Sequence, residues 1–150
     1  MKSLFDNSAL EEILNRISLL TSDSSSQWGK MNVAQMCTHC QGPINISLKK
    51  IGAAKKPGVF KRVLFSAFKS SLYNDKPWRK GLPTAKSMII DDERDLNKEK
   101  ERLISLIKEF HLLKDQEHWD PHPVFGKFTK EQWGKMQYKH LDHHLRQFNV

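Results

Sequence analysis

Apolar residues recur every three or four positions in four stretches of the chain, the spacing that lines one face of a helix. The first runs through Leu10, Ile13, Leu14 and Ile17, with Ser8-x-x-Glu11 in the pattern of a capping box, and is predicted to end near Leu20. A polar run from Thr21 to Ser26 buries nothing and reads as a loop. Asn32-x-x-Gln35 opens a second helix through Val33, Met36, Cys40, Ile44 and Leu48, bent rather than ended by Gly42-Pro43 because apolar positions continue on both sides. Asp95 caps a third, with Leu96, Leu103, Ile107 and Phe110 inward and Lys98, Lys100, Glu101 and Lys108 outward, ending near Leu112.

The fourth stretch, Thr129 to Phe148, organises the rest. Thr129-x-x-Gln132 repeats the capping box. Wound at about 100° per residue, the segment puts Lys135, Lys139, Asp142 and Arg146 on one narrow stripe, expected to face water. Trp133, Met136, Tyr138, His140, Leu141, His144, Leu145 and Phe148 fill an arc too wide for a helix with a single neighbour, so the helix is predicted to be central and largely buried. His140 and His144 stand four apart within that arc, close enough to converge on one ion. Two buried imidazoles need hydrogen bonds or a metal, and the pattern alone leaves both readings open.

Between helices two and three lies a long crossover, 51 to 90. Within it, Pro57 followed by Val59, Phe60, Val63, Leu64, Ala67 and Phe68 predicts a short extra helix, and Asn74 to Thr84 a loop. A long connection allows helices two and three to run parallel in an all-α four-helix bundle formed as one domain, residues 1–150. The net charge of +8 concentrates in this crossover. Lys49 to Lys86 holds eleven Lys or Arg and one acid, Asp75, for +10, against −2 for the remainder. No long apolar run and no signal-peptide pattern is present, which predicts a cytoplasmic protein.

Several other residues invite chemical readings. Cys37 and Cys40 form a C-x-x-C without the second pair of a zinc ribbon, and they lie inside a helical pattern rather than at a helix start, so they read as reduced thiols. His39 lies on an apolar flank with Met36, Pro43 and Ile46, where a lone histidine is more often a hydrogen-bonded core residue than a ligand. His118 and His122 are four apart, but Pro121 and Pro123 preclude a helix there, and His122 is expected to fix the turn into the last helix.

Met36-x-x-His39, His122-Pro123-x-Phe125-Gly126 and the block W-G-x-M-x-Y-x-H-L-D-H-H-L-R-Q-F from Trp133 to Phe148 resemble the DinB/YfiT-like four-helix-bundle metalloenzymes, in a branch carried as a domain of unknown function. The resemblance spans nearly the whole chain and implies an up-down-down-up bundle. It also implies that one histidine of helix two and the H-x-x-x-H of helix four, here His39, His140 and His144, ligate a divalent ion, zinc or nickel. His143 is the alternative ligand, at the edge of the arc. Three imidazoles leave zinc one open position, as in catalytic sites, where a water or a thiol is deprotonated. Leu141 stands where H-E-x-x-H has its glutamate, so the protease base is missing, and Gln35, Gln137 and Gln147 are candidates only for orienting ligands.

These readings converge on a metal-dependent enzyme, a thiol-dependent transferase in its most concrete form. The alternatives are a non-catalytic binding or stress-associated module and a metal-dependent hydrolase. The expected partners are a small-molecule substrate, a low-molecular-weight thiol among the candidates, and a second copy of the chain; membrane and nucleic acid are not expected. The lysines of 49–86 read as the solvated side of a helix and loop without a base-reading motif. Titration with duplex and single-stranded oligonucleotides is therefore predicted to show no tight, steeply salt-dependent binding; such binding would reverse this reading.

Overall fold

The computed structural model describes residues 1–51, 58, 65 and 67–150. Among the described residues four long α-helices are seen: α1 (Asn7–Ser18), α2 (Val33–Ser47), α3 (Leu96–Leu112) and α4 (Lys130–Gln147). Short 3-10 turns occupy Lys69–Leu72, Lys86–Met88 and Leu113–Asp115, and the described residues contain no strand. The fold is an all-α four-helix bundle. The predicted extra helix falls mostly outside the described residues; Phe65, Ala67 and Phe68 are helical and run into the turn at Lys69–Leu72.

Long-range contacts fix the direction of every helix. Gln35 Nε2 donates to the Asp92 carbonyl, Gln41 to Glu99, and Lys50 pairs with Glu109, so α2 and α3 are parallel. Leu4 N–H donates to the Gly134 carbonyl and Arg16 pairs with Asp142, so α1 and α4 are parallel. Lys100 reaches the carbonyls of Ser18 and Leu20 while His111 bonds the Leu4 carbonyl, so α3 opposes α1. The four helices thus run up, down, down, up.

Three of the four predicted caps form. Asn32/Gln35 and Thr129/Gln132 are reciprocal capping boxes, and Asp95 accepts from Lys98 N–H. The Ser8/Glu11 box does not form, because α1 opens earlier, at Asn7. Its N-cap residue Asp6 instead ties down the chain entry by accepting from Ser3 N–H at 3.0 Å. Helix α2 continues through Pro43, and Lys86–Met88 forms a 3-10 turn.

The core gathers Leu4, Ile13 and Ile17 below, Met36 and Ile44 of α2, Leu103, Ile107 and Phe110 of α3, and Trp133, Leu141 and Leu145 of α4. All eight residues of the predicted α4 arc are buried. The opposite stripe departs from expectation. Lys139 is buried at 5% exposure, beneath the crossover residues Ser71 and Asn74. Asp142 is half-buried against Arg16 at 2.8 Å, and Arg16 also donates to the Val150 carbonyl. A helix periodicity marks which positions share a face but does not reveal that a distant loop covers it.

Gly134 permits the tightest helix contact: a Cβ there would strike Ser3 Oγ and the Phe5 ring, so the N-terminal segment lies directly on α4. That close approach offsets the roughly 1 kcal/mol that glycine costs in a helix interior.

His122 fixes the turn before α4, as expected. Its Nδ1 accepts from the backbone N–H groups of Val124 (3.1 Å) and Phe125 (3.3 Å), and its backbone pairs with Gly126. Burial among Phe125, Phe128 and Trp133 lowers its pKa to about 4 from the ordinary 6.5. Between those values the unfolded chain binds the proton and the folded one does not, so this histidine costs stability as pH falls from 6.5 toward about 4 and nothing above that window. The full effect is on the order of 3 kcal/mol. Asparagine can present an oxygen near the place of Nδ1 without titrating. His122→Asn is therefore predicted to stay folded and to show a shallower loss of stability between pH 6.5 and 4 than the parent in urea denaturation at stepped pH.

Candidate metal centre

Two independently fixed helices bring three histidines together. The capping boxes set where α2 and α4 begin, and the buried apolar arcs set how each is rotated. Because the two helices are antiparallel, the first half of α2 meets the second half of α4. His39 thereby faces His140 and His144, with ring centroids 5.2 and 4.7 Å away. One nitrogen from each ring lies within 4.8 Å of the others, and all three side chains are buried.

Hydrogen bonds on the far side of the rings fix the tautomers. His39 Nδ1 lies 2.9 Å from the Met88 carbonyl, which only accepts, so Nδ1 carries the proton. His144 Nδ1 lies 2.9 Å from Gln147 Oε1, and the Gln147 amide is itself oriented by donating to the Trp28 carbonyl, so Nδ1 of His144 also donates. Both rings therefore turn an Nε2 lone pair toward the centre. His140 Nε2 stands 3.3 Å from His39 Nε2, while its Nδ1 is buried with no hydrogen-bond partner.

This donor set suits a divalent ion. Two nitrogens each about 2.0–2.1 Å from tetrahedral zinc are themselves about 3.3–3.4 Å apart, matching the His39–His140 separation. The carbonyl and amide oxygens behind His39 and His144 are the outer partners that metal-bound imidazoles require. Burial holds the pKa of His39 below its ordinary value, an effect partly opposed by the Met88 hydrogen bond, and holds that of His140 well below. Burial, with His39 nearby, lowers His144 to about 3. All three are neutral at pH 7, the form that binds metal. No carboxylate joins the group among the described residues.

With this geometry in view, comparison with known proteins places the chain. A family model matches residues 2–150. The chain belongs to the family described as Protein of unknown function (DUF1569). No curated protein and no solved structure matches it. No helix among the described residues of this DUF1569 domain is long and apolar enough to cross a membrane.

Each residue singled out from the sequence now has a place. His39, His140 and His144 come together; His143 is half-buried at their rim, its centroid 5.1 Å from His144. His118 is exposed, and His122 packs on Trp133 at the start of α4. Cys37 and Cys40 are free and buried, with burial raising Cys37 to about 12 and Cys40 well above the ordinary thiol value, so neither is a reactive thiolate. Of the three glutamines, only Gln147 orients a triad ring. Gln137 bonds the Pro43 carbonyl and Ser47, and Gln35 serves the α2 cap. The Met88 carbonyl, Trp28 and Trp78 were not identified as parts of the site. They come from loops, where no helical period relates them to the triad.

The tautomers are testable without metal. Nitrogen-15 NMR of the metal-free protein at pH 7 is predicted to show His39 and His144 as neutral Nδ1–H forms, and Gln147→Leu to release His144 into a tautomer mixture while leaving His39 unchanged. A dominant Nε2–H form for either ring in the parent would contradict the assignment.

Proposed function

We propose that this protein is a divalent-metal-dependent enzyme in which His39, His140 and His144 hold the ion, zinc or nickel, and that it is one of the DinB/YfiT-like bundle metalloenzymes. The supporting observation is the convergence of imidazoles of which two, His39 and His144, already donate from their outer nitrogens to Met88 and Gln147 and so turn an Nε2 lone pair inward. A bound ion with three nitrogen ligands would supply a Lewis acid with an open position, able to lower the pKa of a coordinated thiol or water. Around it the protein contributes neutral imidazoles, fixed ring orientations and a largely dry setting.

The reaction we assign is thiol-dependent transfer to a small-molecule substrate. Hydrolysis calls for a general base poised beside the ion, and no carboxylate accompanies the triad among the described residues. A thiol needs only deprotonation to become a nucleophile, so direct activation requires less help from side chains.

Protein purified without a His-tag and reconstituted with zinc or nickel is predicted to hold about one ion per chain by elemental analysis. His140→Ala and His144→Ala are expected to lower affinity at least about 100-fold, whereas His143→Ala stays within a few-fold, since removing one of three ligands costs more than the 10–100-fold typical of outer partners. The loaded protein should accelerate conjugation of a low-molecular-weight thiol to chlorodinitrobenzene, and chelation should abolish it. Stoichiometric metal without any thiol chemistry would favour the binding module, ester or amide cleavage the hydrolase, and failure to take up metal would end the enzyme reading.

A further inference from the structure

The metal site leaves unexplained a pair of tryptophans at its rim. Trp28 and Trp78 approach the His143 ring at 5.6 and 5.7 Å between centroids, and Trp78 also lies 6.0 Å from His140. They arrive from unrelated loops, Trp28 between α1 and α2 and Trp78 from the crossover. Both are half-buried, and neither belongs to the core or packs against it. His143 between them makes no hydrogen bond to another described residue.

Each of the two loops is held by a buried polar residue of α4 beside a triad histidine. Gln147 donates to the Trp28 carbonyl, and its own carbonyl accepts from Gln27 N–H at 2.7 Å. Gly29, at φ +83°, lets the backbone lie against that amide, where a Cβ would come within 2.7 Å of Nε2. Lys139, next to His140, directs its ammonium at the Ser71 carbonyl (2.7 Å), the Asn74 carbonyl (2.8 Å) and Asn74 Oδ1 (2.7 Å), which accounts for all three of its donors. Trp78 Nε1–H donates to the same Ser71 carbonyl at 2.8 Å. Burying a lysine is costly, and this one is committed to holding the loop that carries Trp78.

The same surface is cationic. Lys80 Nζ lies 4.6 Å from the centre of the Trp28 ring, and Lys76 and Arg79 are exposed beside Trp78. Asp75, the loop's acid, is engaged by the N-terminal amine at 2.6 Å. Flat aromatic faces with a few charges beside a reactive centre are the usual composition of a small-molecule site.

We propose that Trp28 and Trp78 are ligand-contacting walls beside the triad, that they select a small organic anion with a flat apolar face, and that Lys139 is the positioning residue for Trp78. The flat face stacks on indole, and the negative charge meets Lys80 and Arg79. The inference deepens the metal reading and rests on it for the ligand's approach to the ion, but the walls themselves are built without metal.

The test uses zinc-reconstituted full-length protein titrated with benzoate, with benzyl alcohol as its neutral counterpart and with acetate as an anion without a ring, followed by calorimetry and tryptophan fluorescence. Benzoate should bind at least about tenfold more tightly than either control, a ratio within reach of one stacking and one charge contact. Trp28→Ala and Trp78→Ala should each reduce that preference to a few-fold or less with zinc stoichiometry unchanged. Lys139→Met should do the same and shift the emission of the parent, but leave emission unshifted in a Trp78→Ala background, a signature that general loss of stability does not produce. Equal binding of the three probes, or a preference that survives Trp78→Ala, overturns the walls while leaving the metal reading intact; unchanged emission and preference in Lys139→Met overturns its positioning role. If the parent takes up no zinc, the metal reading fails, and the same benzoate series on zinc-free protein still decides the walls.

Discussion

A helix enclosed on nearly every side has to find a partner for each polar side chain it carries, and α4 is such a helix. Its buried residues include Gln137, Lys139, His140, His144 and Gln147. An unpaired polar group in that position costs about 1–3 kcal/mol, so each partner is a constraint on a neighbouring element. Gln137 holds the second half of α2, Lys139 the crossover, and Gln147 the loop after α1. Of the two buried histidines of α4, His144 is met by Gln147 within the same helix and His140 only by His39 of α2. Three buried polar atoms of α4 are left without a hydrogen-bond partner among the described residues, Trp133 Nε1, Gln137 Oε1 and His140 Nδ1, and the last of these belongs to the histidine cluster.

How much of this was legible depends on whether the determining interaction is local. The helices were, because capping and apolar period are written in adjacent residues: Asn32 with Gln35 and Thr129 with Gln132 mark two starts correctly. The resemblance supplied the pairing of His39 with His140 and His144, since nothing in the period of α2 distinguishes a ligand from a core histidine. Ser8-x-x-Glu11 misled because the same letters serve equally well inside a first turn. Lys139 misled for a different reason. A lysine on the polar stripe of a helix faces water unless some distant oxygen atoms reach it, and those of Ser71 and Asn74 are 68 and 65 residues away.

The same distinction separates the histidine triad from its rim. Histidines at i and i+4 are a helical signal, whereas Trp28 and Trp78 are placed by backbone carbonyls, a positive-φ glycine and an indole hydrogen bond, none of which has a sequence period. Loops that cover a site carry much of its selectivity while leaving the weakest trace in the chain.

His39 and His140 are separated by 101 positions along the chain. On a ribosome adding roughly 5–20 residues per second, His39 is synthesised about 5–20 s before its partners. Throughout that interval α1 and α2 are without the helix that both need for much of their apolar burial, and α3 itself appears only part-way through it. The nascent chain must therefore wait, with an exposed seam and an uncommitted imidazole, until α4 has been made, and the three histidines come together only then.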